Sequence, residues 1–318
     1  MTAISIKQAA QILNQSGNIG FPTETVYGLA ARIDMPIALE NIFKIKNRPY
    51  FDPLIVHVSS LAMAELLVTD MPLEAKILAH NFWPGPLTMI LPKNENIISS
   101  LITSGSPYVG IRCPDHLLAL EIISEINCPL AAPSANPFKA TSPTQRQHVE
   151  NYFGEHFPVL DGGNSEVGIE STIIKINSKE KIIEILRVGQ IGEEDIKKHL
   201  EDYQVVVKKN DLIAVPGELE EHYRPRIPLI VTETNNLLNE FLLSHKIKIE
   251  EISELNLPVN SVLFMRNLYQ ELHHCSKDIN KKWIFINLQK YQSINQDHFY
   301  QASLERLFKA ASVKLLSK

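Results

Sequence analysis

The stretch FPTETVYGLAARIDMPIALENIFKIKNRPYFDPLIVHV, residues 21–58, gathers threonines, a tyrosine, a Lys-x-Arg pair, prolines and a histidine into one supersecondary unit. Lys46 and Arg48 follow an amphipathic helix and precede Pro49 and Pro53. The fixed φ angles of those prolines can hold both cations at a defined rim, which suits phosphate. The competing reading is a solvated helix end whose cations complement the C-terminal dipole. His57 lies in an otherwise apolar strand, where a hydrogen-bonded core histidine and a catalytic base are both open.

A second cluster, PLAAPSANPFKATSPTQRQHV, places Ser134 and Asn136 just beyond a buried-looking strand, where short polar side chains can meet a ligand or simply make a turn. Ser142 has the position of an N-cap, with Pro143 at the first helical residue and Gln145 three residues after the cap, so a helix N-terminus able to receive an anion is expected there. Further on, GIEST, LRVG and EHYRP supply Ser171, Arg187 and Tyr223 at strand or linker edges. GxxxxGK[ST], GxGxxG after a strand, GxSxG and HExxH are all missing, which takes support from the standard nucleotide and hydrolase readings. His273, His274 and Cys275 are adjacent on an expected helix and therefore point in different directions, unlike a metal pair at i, i+4.

The elements that must position these residues alternate. Ser5 and Gln8 have capping-box spacing ahead of Ile6, Ala9, Ala10 and Leu13, which predicts an opening helix ended by Gly17. A short strand over Asn18–Pro22, a turn over Thr23–Gly28 and a helix over Ile37–Ile45 follow. Strands are expected at Leu54–Val58, Pro86–Leu91, Tyr108–Arg112, Pro129–Ala132, Glu170–Ile176 and Ile182–Arg187, with helices after Ser60 and near 73–82, 115–126 and 143–153. Regularity fades from Lys208 to Pro228. Beyond it PLIVT, the helical NNLLNEFLLSH, a helix over Phe264–His273, the strand WIFINL and a last helix to about Val313 predict a small α/β domain.

Composition sets the bounds. At 318 residues two domains are expected, with 44% hydrophobic and 21% charged residues, ordinary for a globular protein. A net charge of -5 argues against broad coating of a nucleic-acid backbone and leaves room for a local basic cleft. Three scattered cysteines fit a reducing cytoplasm, and neither a signal peptide nor a membrane-spanning stretch is expected.

Taken in order, FPTETVYGLAA, FKIKNRP, PLIVHV, WPGPLT, VGIRCP, APSAN, SPT, STII, LRVG and HYRP resemble the YrdC-like L-threonylcarbamoyladenylate synthases over about residues 15–228. The resemblance implies a twisted, mixed-sheet α/β catalytic domain with a concave basic cleft over 1–207, an interdomain linker over 208–228 and a smaller Rossmann-like domain over 229–318. It also implies a reaction of L-threonine, bicarbonate and ATP that yields threonylcarbamoyl-AMP and pyrophosphate for tRNA modification. Mg2+ is then expected with ATP, without a dedicated ligand cage. Downstream threonylcarbamoyl-transfer proteins are expected as partners, direct tRNA contact being open.

Carried over by motif, Lys46, Arg48, Ser134 and Asn136 are expected at the phosphates, and Ser142, Arg187 and Tyr223 at ATP, with Tyr223 folding over it. Thr25, His57, Arg112 and Ser171 are expected at threonine. Asp52 and Tyr108 stand where the family usually has Asn and Thr at ATP contacts. An RNA-binding module of the same fold is the competing function, and retention of His57, Ser171 and Tyr223 favours the enzyme. A hydrogenase-maturation-type carbamoyl-transfer domain would bring zinc-finger-like cysteines that this chain does not have.

Overall fold

The computed structural model describes residues 3–207 and 222–317. Most of the linker expected over 208–228 lies outside the described residues. The chain divides into two compact units, Met1–Phe138 with Pro143–Glu218, and Lys139–Ser142 with Leu219–Lys318.

Among the described residues the first unit carries nine strands: β1 Ile19–Phe21, β2 Gly28–Arg32, β3 Ile55–His57, β4 Leu87–Pro92, β5 Tyr108–Arg112, β6 Leu130–Ala131, β7 Thr172–Asn177, β8 Ile182–Arg187 and β9 Gln204–Val207. They form one mixed sheet in the order β1-β2-β6-β3-β5-β4-β7-β8-β9. The pairs β3–β5, β4–β7 and β8–β9 are parallel, and the other neighbours are antiparallel.

Side chains alternate across a strand, and the alternation separates packing from chemistry. Val56, Met89, Leu91, Val109, Ile111, Ile174, Ile183 and Ile185 turn into the main core. Their neighbours Ile90, Ile173 and Leu186 turn to the opposite face, where Ile55 and Tyr108 pack against them as a separate strip. Period two places His57, Thr88 and Arg112 on that opposite face as well.

The opening helix, Ile6–Asn14, has the expected capping box: the Ser5 amide donates to Gln8 Oε1 at 2.9 Å and the Gln8 amide to Ser5 Oγ at 3.3 Å. The next helix, Pro36–Lys46, starts on its proline and ends at Asn47 with φ 50°, a left-handed C-terminal residue. Its buried stripe runs Leu39, Ile42, Phe43, Lys46. At three and four residues beyond Phe43 and Ile42, Lys46 falls on the stripe, so the solvated-end reading of this lysine is overturned.

The helix expected from Pro143 begins instead at Arg146, with Gln145 as N-cap. The reason is tertiary. The carbonyls of Ser142, Pro143 and Thr144 accept from His273 Nε2 at 3.1 Å, the Tyr27 amide at 2.8 Å and the Ser165 amide at 2.8 Å. Backbone committed to those partners cannot make the first helical turn. Ser142 is therefore no N-cap, and no helix N-terminus stands at it.

The second unit holds β10 Leu229–Thr232, β11 Ile252–Glu254, β12 Trp283–Asn287 and β13 Val313–Leu315 in the all-parallel order β11-β12-β10-β13. Helices Asn235–Ser244, Ser261–Cys275 and His298–Ala310 connect them, as parallel strands require. The last helix stops at Ala310, earlier than expected, because Val313–Leu315 pairs with β10. Tyr223 is buried in this unit with φ 65°, its ring stacked on Tyr269 at 5.6 Å and edge-on to His222 at 4.2 Å. Its carbonyl accepts from Thr141 Oγ1 at 2.9 Å, which ties the 139–142 segment to it.

Candidate active site

Two motifs distant in sequence meet at Lys46. Its Nζ donates to the carbonyls of Ser134 and Asn136, both at 2.5 Å, and its own carbonyl accepts from the Phe138 amide at 2.7 Å. The Lys-x-Arg turn and the Ser-x-Asn turn therefore form one structure. An ammonium has three donors, and these two acceptors are neutral. Burial, reinforced by Arg48, holds the Lys46 pKa well below the usual lysine range.

Arg48 is also buried. Its Nη2 lies 2.8 Å from Asp52 Oδ1 and donates to the Pro53 carbonyl at 2.8 Å, while Nε donates to the Asp52 carbonyl at 3.1 Å. Burial lowers the Arg48 pKa, Asp52 opposes that, and nearby Arg187 adds to it. Burial likewise pushes the Asp52 carboxyl above its usual range, with Arg48 pulling the other way. Lys46, Arg48 and Arg187 thus repel one another in low dielectric around Asp52, a place that an anion stabilises.

A second set of side chains surrounds Arg112 on the same sheet face. Its Nη1 donates to Thr25 Oγ1 at 2.8 Å, Nε donates to the Gly85 carbonyl at 3.2 Å, and Nη2 lies 2.5 Å from Glu24 Oε2. Thr25 Oγ1 in turn lies 2.8 Å from Thr23 Oγ1. His57 is the cross-strand partner of Arg112 and packs edge-on to Phe21 at 5.5 Å. Burial, followed by the Arg112 charge, pulls its pKa down to about 3, so at neutral pH it is an uncharged imidazole.

Ser171 lies between Thr88 and Arg187. Its Oγ lies 2.7 Å from Thr88 Oγ1 and accepts from Arg187 Nη2 at 3.1 Å, and its carbonyl accepts from Arg187 Nε at 3.0 Å. Gly189 allows the chain after Arg187 to come this close, since a Cβ there would sit 2.5 Å from the Thr172 amide nitrogen and 2.7 Å from the Glu170 carbonyl. At the other end of the face, Tyr108 is half-buried with Lys175 Nζ 4.9 Å from its ring centroid, and both line a cavity of about 490 Å³.

Of the residues singled out in the sequence, Lys46, Arg48, Asp52, Ser134, Asn136, Arg187, Thr25, His57, Arg112, Ser171 and Tyr108 belong to the first unit, and Ser142 and Tyr223 to the second. Sequence reasoning passed over Glu24 and Thr88. A usable signal existed for Glu24: a buried arginine on a central strand calls for a carboxylate, and PTET contains one. Cys113, next to Arg112, is buried with its thiol pushed up to about 11, unsuited to act as a nucleophile. Among the described residues, no group of three or more His, Cys, Asp or Glu side chains could hold a metal ion.

The Sua5/YciO/YrdC family model, described as telomere recombination, matches residues 11–189. A model described as the threonylcarbamoyl-AMP synthase C-terminal domain matches residues 178–312. A threonylcarbamoyl-AMP synthase of Pyrococcus abyssi is 39% identical over 233 residues, which covers 72% of this chain and 68% of that relative. A Bacillus subtilis protein of the same name is 39% identical over 232 residues, covering 72% of this chain and 66% of its own length. The crystal structure of P. abyssi Sua5 complexed with L-threonine superposes with a TM-score of 0.85 at 31% identity, covering 98% of this chain and 96% of that one. The chain belongs to the Sua5/YciO/YrdC family, in the form that carries the Sua5 C-terminal domain.

Proposed function

We propose that this chain is a threonylcarbamoyl-AMP synthase, which condenses L-threonine, bicarbonate and ATP and releases pyrophosphate. The observation that carries this reading is the junction at Ser171. There Arg187, electrostatically coupled to Arg48, touches a side chain of the Arg112 face. A carboxyl group built on an amino acid seated by Arg112 can therefore reach a phosphorus held by Lys46 and Arg48.

The chemistry needs no protein nucleophile. Threonine ammonium and bicarbonate give a carbamate, water and a proton. A carbamate oxygen then attacks the α-phosphorus, and pyrophosphate leaves with the electron pair. Lys46, Arg48 and Arg187 take up charge on the phosphoryl oxygens. Arg112 suits the amino acid carboxylate by its fork. Neutral His57 leaves a buried Nδ1, without a hydrogen-bond partner, for a substrate hydroxyl. The strip of Ile90, Ile173 and Leu186, ending at Tyr108, offers the nucleoside an apolar seat.

Mg2+ would enter with the triphosphate and supply further charge neutralisation. Its fit here rests on one hard oxygen donor, the Asp52 carboxylate beside Arg48. Asp52→Asn should then raise the magnesium concentration for half-maximal rate several-fold while changing the rate at saturating magnesium by about twofold or less. A magnesium titration of both proteins checks this, and an unchanged titration would mean that Asp52 only neutralises Arg48.

The product is a mixed anhydride that other proteins would transfer to a tRNA adenosine in the cytoplasm. Among the described residues no helix is long and apolar enough to cross a membrane. The direct test is incubation of the purified protein with ATP, magnesium, L-threonine and bicarbonate. Pyrophosphate release and an adenylate seen by mass spectrometry, both lost when threonine or bicarbonate is omitted, are expected. A folded protein that binds ATP and forms no adenylate would overturn the reading.

A further inference from the structure

Glu24 is buried at 6% exposure in the loop between β1 and β2. Its backbone is fixed: its carbonyl accepts from the Val167 amide at 2.7 Å, and the preceding Thr23 carbonyl accepts from Ser165 Oγ at 3.0 Å. The carboxylate approaches Arg112 Nη2 at 2.5 Å but out of line, so neither Glu24 Oε1 nor Oε2 has a hydrogen-bond partner, and Arg112 Nη2 has none. The other Arg112 donors are engaged, Nη1 by Thr25 and Nε by Gly85.

A buried carboxylate that accepts no hydrogen bond is costly. Natural structures rarely keep one without a use. If Glu24 served only to neutralise Arg112, the low-energy arrangement would be aligned hydrogen bonds between them. The misaligned pair instead leaves an acceptor and a donor, of opposite charge, side by side. An α-amino acid zwitterion presents the complementary pair, ammonium to Glu24 and carboxylate to Arg112.

We infer that Glu24 is the positioning residue for the substrate's α-amino group, holding the ammonium on arrival and the remaining N–H once the carbamate has formed. This inference rests on the function proposed above. Fixing that N–H fixes rotation about the Cα–N bond and so directs the carbamate oxygens. Glu24 thereby selects amino acids over analogues that lack the amine, and it acts without touching the phosphates.

The test uses the full chain and three ligands, L-threonine, 3-hydroxybutanoate (threonine without its amine) and ATP, with affinities from isothermal titration or ligand-observed NMR. In the unaltered protein, loss of the amine should weaken binding about tenfold or more. Glu24→Gln should weaken L-threonine by a similar factor, leave ATP unchanged and leave 3-hydroxybutanoate within about twofold. Equal weakening of both threonine and 3-hydroxybutanoate would reduce Glu24 to a brace for Arg112 and overturn the inference. So would an unaltered protein that binds 3-hydroxybutanoate as tightly as threonine, a comparison that stands even where the variant folds poorly. An unaltered protein that binds ATP but neither small ligand would instead overturn the proposed function itself.

Discussion

Lys46→Met should lower kcat/KM for ATP by about a thousandfold, equivalent to about 4 kcal/mol of transition-state stabilisation, when pyrophosphate release is followed at saturating threonine and bicarbonate. Methionine matches the lysine stem in length and burial, so the change is chiefly the loss of a cation that sits under developing phosphoryl charge. Stability moves little because two effects oppose. Removing a buried ammonium relieves desolvation, while the Ser134 and Asn136 carbonyls each lose a donor at roughly 1–3 kcal/mol.

The same residue gives a pH signature. Its folded pKa lies well below the ordinary 10.5, so between those two values the unfolded chain binds the proton that the folded chain releases. The penalty of burying the cation is complete below the folded pKa and is relieved as pH rises through it towards 10.5. The unaltered protein should therefore gain stability relative to Lys46→Met across that window. ATP binding there should take up a proton, readable as a buffer-dependent enthalpy. A variant that keeps its activity would remove Lys46 from the proposed phosphate seat, whereas a stability difference independent of pH would contradict only the lowered pKa.

The architecture was legible where periodicity and packing agree. The capping box at Ser5, the stripe of Leu39, Ile42 and Phe43, and the strands at 55–57 and 108–112 are local patterns that tertiary contacts reinforce. Candidate site residues could be named because their motifs stand in order, although which side chains touch could not. Lys46 taken alone read better as a solvated helix end, since what decides its environment is a loop 88 residues away. Ser142 failed as an N-cap because tertiary hydrogen bonds outbid local capping, which no spacing rule anticipates. Short strands such as β11 and β13, three residues each, carry too little alternation to be seen before their neighbours are known. Glu24 was hidden for another reason. A lone acid in a turn reads as solvated unless the buried arginine expected on β5 is taken to require a carboxylate.

Arg112→Lys should raise the threonine concentration for half-maximal rate by about a hundredfold, or about 3 kcal/mol, and leave the ATP requirement within about twofold. Lysine keeps the charge opposite Glu24, so the fold does not face a buried carboxylate alone, the defect that would cost about 3–5 kcal/mol in Arg112→Ala. What lysine loses is the fork. Arg112 donates to Thr25 and Gly85 from two nitrogens and faces Glu24 with the third, and one ammonium cannot hold those directions and also receive a carboxylate bidentately. Activity at very high threonine should recover substantially, because the phosphate seat proposed around Lys46 and Arg48 shares no bond with this side chain. Titrations of threonine and ATP on the same preparation separate the outcomes: a selective threonine defect places the amino acid at Arg112, whereas equal defects for both substrates would make Arg112 a structural strut of the sheet.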